Sequence, residues 1–464
     1  MATTIRFSAM TSQSVCLRCA AGLVLLAGLF NSPAHAAAWD WGSEFRLTGS
    51  YNDNPTLAPE ENQDGTKRDI QTTRSLLAQT ELQIIRATPN SSIEFEPRVT
   101  RSYYPDEELS KLEQTNWYMD ARGSWRQRRT SFSLGFQYRD AGILSAEDTF
   151  DNQTGGSNLR VDDKRQLISL SPNFSWQITQ QDQISIGATR SETDYELDFT
   201  GRADLEYNTA SLSYQRSFSE RQSLGFLAGA YTNKSEQLQF IFTPTTATNN
   251  TDGINLNIDY NYSISEDMNL ALRFGRQESD SATSGGVIST DLDSATALLG
   301  DNCANISENV GAAPLPGTGL LLFLYTDCTR KYKSSQYRLD LTKRYERTEF
   351  TFGVFQSIVP GSTGVPQERL QVSVRGTHQL TEKVSLTGRL TANEQTSIGF
   401  DNLTRESRNL RADINADWVL TRRWAVGALY VYRDRKRDSN LTEIIAYSNE
   451  MGFYIRYNWE SPEL

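Results

Sequence analysis

The sequence predicts an all-β fold: a transmembrane antiparallel β-barrel of about 18 strands, within a range of about 16 to 20. Three observations carry this expectation. Apolar and polar residues alternate strictly over segments of about ten residues. The connections between those segments alternate between short and long. Most of the Trp residues fall at one shared end of the segments.

Composition removes the competing classes. The chain has 464 residues, with 46 Lys+Arg against 57 Asp+Glu and a net charge of -11. Mean hydropathy is low, at -0.54. A helical membrane protein needs repeated apolar runs of about 20 residues, and none follows the N-terminal segment. Nucleic-acid binders present basic surfaces, so an acidic chain predicts no nucleic-acid partner. Four Cys are too few for a disulfide-dense scaffold. No helical periodicity persists long enough for a large α/β enzyme.

The first element, residues 1–36, reads as an export signal. Arg6 and Arg18 precede an apolar run from Ala20 to Phe30. Ser32-Pro33-Ala34-His35-Ala36 then supplies small residues at the cleavage positions. Cys16-Leu17-Arg18-Cys19 spells C-x-x-C, but it lies in a segment expected to be discarded and is assigned no function. Residues 37–464 are read as a single barrel domain.

Alternation then runs along the chain. In Ile254-Asn255-Leu256-Asn257-Ile258-Asp259-Tyr260 one face is wholly apolar and the other wholly polar, and Ile93–Val99 and Leu410–Trp418 repeat the pattern. Such segments lie near 41–52, 73–87, 92–104, 115–128, 130–140, 163–177, 183–195, 205–217 and 222–235. They continue near 252–264, 268–279, 333–345, 348–358, 366–380, 384–395, 405–420, 424–435 and 446–459. Short connections follow the even strands, as in Thr88-Pro89-Asn90-Ser91 and Ser265-Glu266-Asp267. Long ones follow the odd strands. Short periplasmic turns and long extracellular loops are the asymmetry of an outer-membrane barrel, and an even count puts both termini on the short-turn side.

A soluble sandwich would bury its apolar face and leave sheet edges to protect. Here nearly every strand carries Arg, Asp, Glu or Asn on its polar face, which suits a wet lumen. The apolar face then suits lipid, and closure removes every edge. Trp41, Trp125, Trp176, Trp418, Trp424 and Trp459 fall at the short-turn level, as an interfacial girdle would. The expected setting is the outer membrane of a Gram-negative cell, in contact with outer-membrane lipid and lipopolysaccharide. Gly452-Phe453-Tyr454-Ile455-Arg456-Tyr457-Asn458-Trp459 resembles the last-strand signal read by barrel assembly machinery, with Gly452 followed by Ile455 and Tyr457. Glu460-Ser461-Pro462-Glu463-Leu464 follows, so the chain departs from that signal by not ending on an aromatic residue.

Alternation also sorts the charges. The inward basic residues are Arg98, Arg122, Arg126, Arg139, Arg165, Arg273, Arg338, Arg375, Arg389, Arg411, Arg433 and Arg456. The inward acids are Glu81, Glu94, Glu96, Asp120, Asp259, Asp340, Asp413 and Asp417. The interior therefore leans basic within an acidic chain. Such arginines can attract anions and hold them bidentately. They can equally pair with carboxylates of neighbouring strands and brace the wall. Both readings stand at this point.

The segment from about 280 to 332 is the least barrel-like and is expected as a long loop. Cys303 and Cys328 are expected to close it as a disulfide in an oxidising compartment. In the simple chain-entropy model such a closure is worth roughly 3 kcal/mol. Between them, Gly317–Tyr325 is apolar and too short to span a bilayer. It could constrict the lumen, meet a partner chain or pack on itself.

Little points to catalysis. Past the export signal the one histidine is His378, which parity directs outward, and no G-x-S-x-G occurs. No C-x-x-C-H suggests haem, and no acidic loop shows the D-x-D-x-D-G calcium spacing. Neither a cofactor nor a metal is expected, and the chain is not expected to be an enzyme.

Gly49-Ser50-Tyr51-Asn52-Asp53-Asn54-Pro55-Thr56-Leu57 opens the barrel. It resembles the Y-x-D-N-x-x-L opening of outer-membrane β-barrel porins found with exopolysaccharide and exosortase (PEP-CTERM) systems. The resemblance implies a barrel that helps an anionic or bulky polysaccharide cross the membrane, with secretion-system proteins as partners and no catalytic residues. The expected function is thus a porin or exopolysaccharide secretion channel with an Arg-lined, anion-leaning lumen. The alternative is a non-conducting structural or surface-interaction barrel.

Overall fold

The computed structural model describes residues 38–58, 72–142, 164–196, 203–240, 244–289, 306–315, 319–360, 366–397, 406–439 and 442–460. The expected export signal lies outside the described residues. The strands are β1 (Ala38–Asn52), β2 (Thr73–Ala87), β3 (Ser91–Tyr103), β4 (Thr115–Gln127), β5 (Thr130–Gly142), β6 (Lys164–Gln177) and β7 (Asp182–Tyr195). Then come β8 (Asp204–Ser219), β9 (Gln222–Phe240), β10 (Pro244–Ser265), β11 (Met268–Ser289), β12 (Ile306–Leu315) and β13 (Gly319–Arg344). The last are β14 (Thr348–Pro360), β15 (Pro366–Gln379), β16 (Val384–Ser397), β17 (Glu406–Val419), β18 (Trp424–Ser439) and β19 (Thr442–Glu460).

All neighbours pair antiparallel, and the sheet closes on itself. β1 pairs with β2 on one side and with β19 on the other, from Gly42↔Glu460 to Asn52↔Glu450. β11 pairs directly with β13, from Met268↔Lys343 to Ser289↔Leu322. β12 folds back on the far end of β13 and stands outside the circuit. Of the nineteen strands, eighteen therefore make the wall. Closure leaves no unpaired edge at the height where the eighteen described wall strands meet lipid, which is what allows strands to sit there.

Two strand pairs run longer than their sequence suggests. β9 and β10 continue to Phe240 and from Pro244, and β11 and β13 extend to Ser289 and from Gly319. Much of the segment expected as a loop is thus paired strand. The reason is compositional. Thr245–Thr251 is polar and Gly319–Tyr325 is apolar on both faces, so neither shows the alternation that marks a strand inside the bilayer. A ladder above the membrane needs no such face. Cys303 lies outside the described residues, and with it the expected Cys303–Cys328 disulfide; Cys328 falls within β13.

The outer surface is apolar. Leu256, Phe274, Ile414 and Phe453 point away from the lumen, and Phe453 is 74% exposed. Large apolar side chains left this open across a whole wall mark a lipid contact rather than a water-facing surface. The six predicted Trp all sit on that outer face at the short-turn end, each exposed. Trp424, Tyr457 and Trp459 form an edge-to-face run, with ring centroids 4.7 and 4.6 Å apart. The packing that would fill the centre of a soluble protein is turned outward, and the polar face encloses the lumen.

Candidate functional site

Paired residues in an antiparallel ladder share a face, so the register fixes what lines the lumen. Every arginine named from alternation occupies an inward position. Arg122 pairs with Glu94, Arg273 with Asp259 and Arg338, Arg375 with Arg389, Arg411 with Arg433, and Arg456 with Arg46. Arg98 pairs with Glu81, Arg126 with Ser131, Arg139 with Leu167, and Arg165 with Ala141.

Two groups stand out among these arginines. One group is tied to carboxylates. Arg273 donates to Asp259 at 2.5 and 3.1 Å. Arg338 donates to Asp340, Arg411 reaches Asp413 at 2.8 Å, and Arg433 reaches Glu450 at 3.1 Å. Arg456 lies 3.9 Å from Glu44 and 3.7 Å from Asp417. Beside it the Tyr454 hydroxyl donates to Asp417, and Arg46 stacks over the Tyr454 ring at 3.7 Å. Arg98 stacks on Tyr118 at 4.3 Å. Bidentate and stacked geometries of this kind are what guanidinium favours over ammonium.

The second group is open. Arg375 and Arg389 face one another across β15 and β16, and both are exposed. Neither meets a carboxylate or another bonding partner among the described residues. They line a recess of about 940 Å³ in the inner wall, above the short turn between β13 and β14. Its lining also includes Arg344, Glu349, Thr351, Gln371, Ser373, Thr377, Gln379, Thr391 and Arg411, with Tyr345, Glu346, Arg347 and Thr348 of the turn at its foot. Glu349 is engaged by Arg344 at 3.3 Å, and Asp413 is engaged by Arg411.

Height along the lumen matters as much as charge. At the long-loop end the inward side chains are covered all round the wall. Asn52, Thr100, Asn116, Arg165, Thr193, Asn233, Ser281, Gln395 and Ser448 are all buried. At the short-turn end Arg122, Arg126, Asn173, Gln215, Asn261, Arg375 and Arg389 are exposed. The wet part of the lumen therefore faces the periplasmic side.

Charge is also uneven around the circumference. β7, β8 and β9 carry Ser, Thr, Gln, Asn, Tyr, Gly and Leu at their inward positions, and no ionisable Asp, Glu, Lys or Arg. Their charges sit on the outer rims, as in Arg190–Glu192 and Lys234–Glu236. Two inward tyrosines lie over cross-strand glycines. A Cβ at Gly253 would meet the Tyr231 ring at 2.3 Å, and one at Gly427 would meet the Tyr454 ring at 2.3 Å.

The motif that opens the barrel sits at the seam between β1 and β19. Asp53 accepts from the Asn449 backbone N–H at 2.6 Å and from its Nδ2 at 2.7 Å. Asn52 accepts from Ser448 Oγ at 2.9 Å. Buried Asn54 donates to the carbonyls of Tyr447 and Ala58, both at 2.8 Å. Leu57 completes the turn with a φ of 48°. The segment is a polar clasp.

Reading the sequence for charges found the open arginines but missed this clasp, the Arg46–Tyr454 stack and the uncharged wall. Parity alone could have found the uncharged wall. The other two need the β1–β19 register. His378 sits on the outer side at a short turn, its Nδ1 2.8 Å from Thr348 Oγ1.

No family model matches the chain, and no curated protein matches it. Solved structures do. The ferric-catecholate import receptor Fiu of E. coli K12, in its open form, is 9% identical with a TM-score of 0.42, over 90% of this chain and 81% of that one. OpdQ of Pseudomonas aeruginosa is 8% identical with a TM-score of 0.40, over 91% and 98%. OccAB4 of Acinetobacter baumannii is 10% identical with a TM-score of 0.40, over 93% and 100%. None of these adds to what the closed wall, its apolar exterior and its register already establish: the chain is a transmembrane β-barrel.

Proposed function

We propose that the protein is a passive outer-membrane channel whose periplasmic vestibule draws in anions. One observation carries this reading. Arg375 and Arg389 are exposed in a recess of the inner wall, with no bonded carboxylate among the described residues. Fixed charge of one sign on a low-dielectric wall concentrates counter-ions and biases permeation. Catalysis has no part in the reading. Lipopolysaccharide around the outer rim and assembly machinery at β19 are the partners it implies.

An anionic exopolysaccharide leaving the cell is the solute suggested by the resemblance at the first strand. Asn52, Asp53 and Asn54 are engaged by the seam, however, so support for the solute comes from the arginines alone. Planar-bilayer recordings of the purified barrel test the channel. A reversal potential showing anion preference is expected. Cation preference, or no conductance, defeats it.

The buried outer half of the lumen favours a second reading, a barrel closed to solutes that serves as scaffold or surface contact. Deleting residues 304–327 separates the two. A jump above the wild-type conductance would make that segment a cap on a channel, and silence in both would favour the scaffold.

A further inference from the structure

We infer that Arg375 and Arg389 form a station for a doubly charged oxyanion, of which a phosphate group is the simplest example. This deepens the channel reading and rests on it for its biological use. The argument begins with a cost. Like charges directly opposite on neighbouring strands destabilise a sheet, and here two guanidiniums occupy one cross-strand pair. The wall could relieve that cost with a carboxylate, as it does for Arg273, Arg338, Arg411 and Arg433. It does not. Asp413, the register partner of Arg389 on β17, is turned to Arg411 instead. Glu349, at the foot of the recess, is held by Arg344, and Glu346 in the turn there bonds neither Arg375 nor Arg389 among the described residues.

What remains matches an oxyanion. Two planar forks with unused N–H donors face one recess, and carboxylates and phosphates are what such forks hold bidentately. Hydroxyl and amide groups of Thr351, Ser373 and Gln371 supply neutral donors around them. A volume of about 940 Å³ exceeds a single phosphate, so the group can arrive attached to a larger solute. Chloride gains less from this arrangement, because it cannot bridge two forks through separate oxygens. The station opens to the periplasmic side, and binding from that side is part of the inference.

The test uses the full barrel in planar bilayers with chloride as carrier and inorganic phosphate as probe. Millimolar phosphate added on the short-turn side is expected to reduce the chloride current. The double variant Arg375→Gln/Arg389→Gln should raise the half-blocking concentration by about tenfold or more, since charge-assisted contacts are lost. Ser211→Ala, on the uncharged β7–β9 wall, should leave it unchanged. Block that is equal in the wild type and the double variant overturns the station while leaving the channel intact. If the wild type carries no current, the channel reading fails by itself. Phosphate titration of the detergent-solubilised barrel, followed by ³¹P line broadening, then decides the station. Broadening abolished in the double variant supports it, and absent or unchanged broadening overturns it.

Discussion

The β7–β9 wall and the wall from β15 round to β1 share one barrel, one strand geometry and one exterior, yet their inner faces differ in kind. The first holds hydroxyls, amides and aromatic rings. The second holds arginines, of which Arg411, Arg433 and Arg456 are tied to carboxylates on their own or a nearby strand. A wall facing water needs no charge to be stable, as the first region demonstrates. The ions of the second therefore do something that hydroxyls do not. Where they pair, they fix side chains across strands. Where they stay open, they leave a field in the lumen.

That contrast can be broken at Asp417, where the largest effect is expected. Asp417→Ala removes the acceptor of the Tyr454 hydroxyl and one partner of Arg456, and should cost about 2–3 kcal/mol, as hydrogen bonds to charged groups do. Ser211→Ala on the uncharged wall should stay within about 0.5 kcal/mol. Urea unfolding of the detergent-solubilised barrel measures both. Equal losses would erase the distinction between the walls.

The tyrosine–glycine pairs test where the two regions should agree. Gly427→Ala and Gly253→Ala each drive a methyl into a ring, and each should cost about 1–3 kcal/mol by overpacking. Similar midpoint shifts in both variants are expected, because this device is steric and ignores charge. The smallest effect belongs to the outer rim. Lys234 and Glu236 are each about half exposed, and Lys234→Gln should leave the urea midpoint almost unmoved, at high salt least of all.

How far the sequence could be read follows from what each feature depends on. Strand positions and facing depend on a period of two, which is local, so Arg273 or Ile414 could be placed from its immediate neighbours. The ends of β10, β11 and β13 could not, because a stretch that is polar on both faces, as Thr245–Thr251 is, or apolar on both, as Gly319–Tyr325 is, carries no contrast between faces. Arg411 and Arg389 looked alike in sequence. Only the cross-strand register shows that Asp413 lies opposite Arg389 and still bonds Arg411. The clasp was invisible for the same reason, since its partners lie almost at opposite ends of the chain.

That distance has a consequence for how the molecule is made. Asp53 and Asn449 are 396 residues apart in sequence, as are Asn52 and Ser448. Contacts of such long range reward the chain only after nearly everything between them is in place. Until β19 arrives, β1 keeps one row of amides and carbonyls without a neighbour, a template for mispairing. Asn52, Asp53 and Asn54 thus act as a completeness gauge: a polypeptide interrupted before β19 has nothing to latch, and stays recognisable as unfinished.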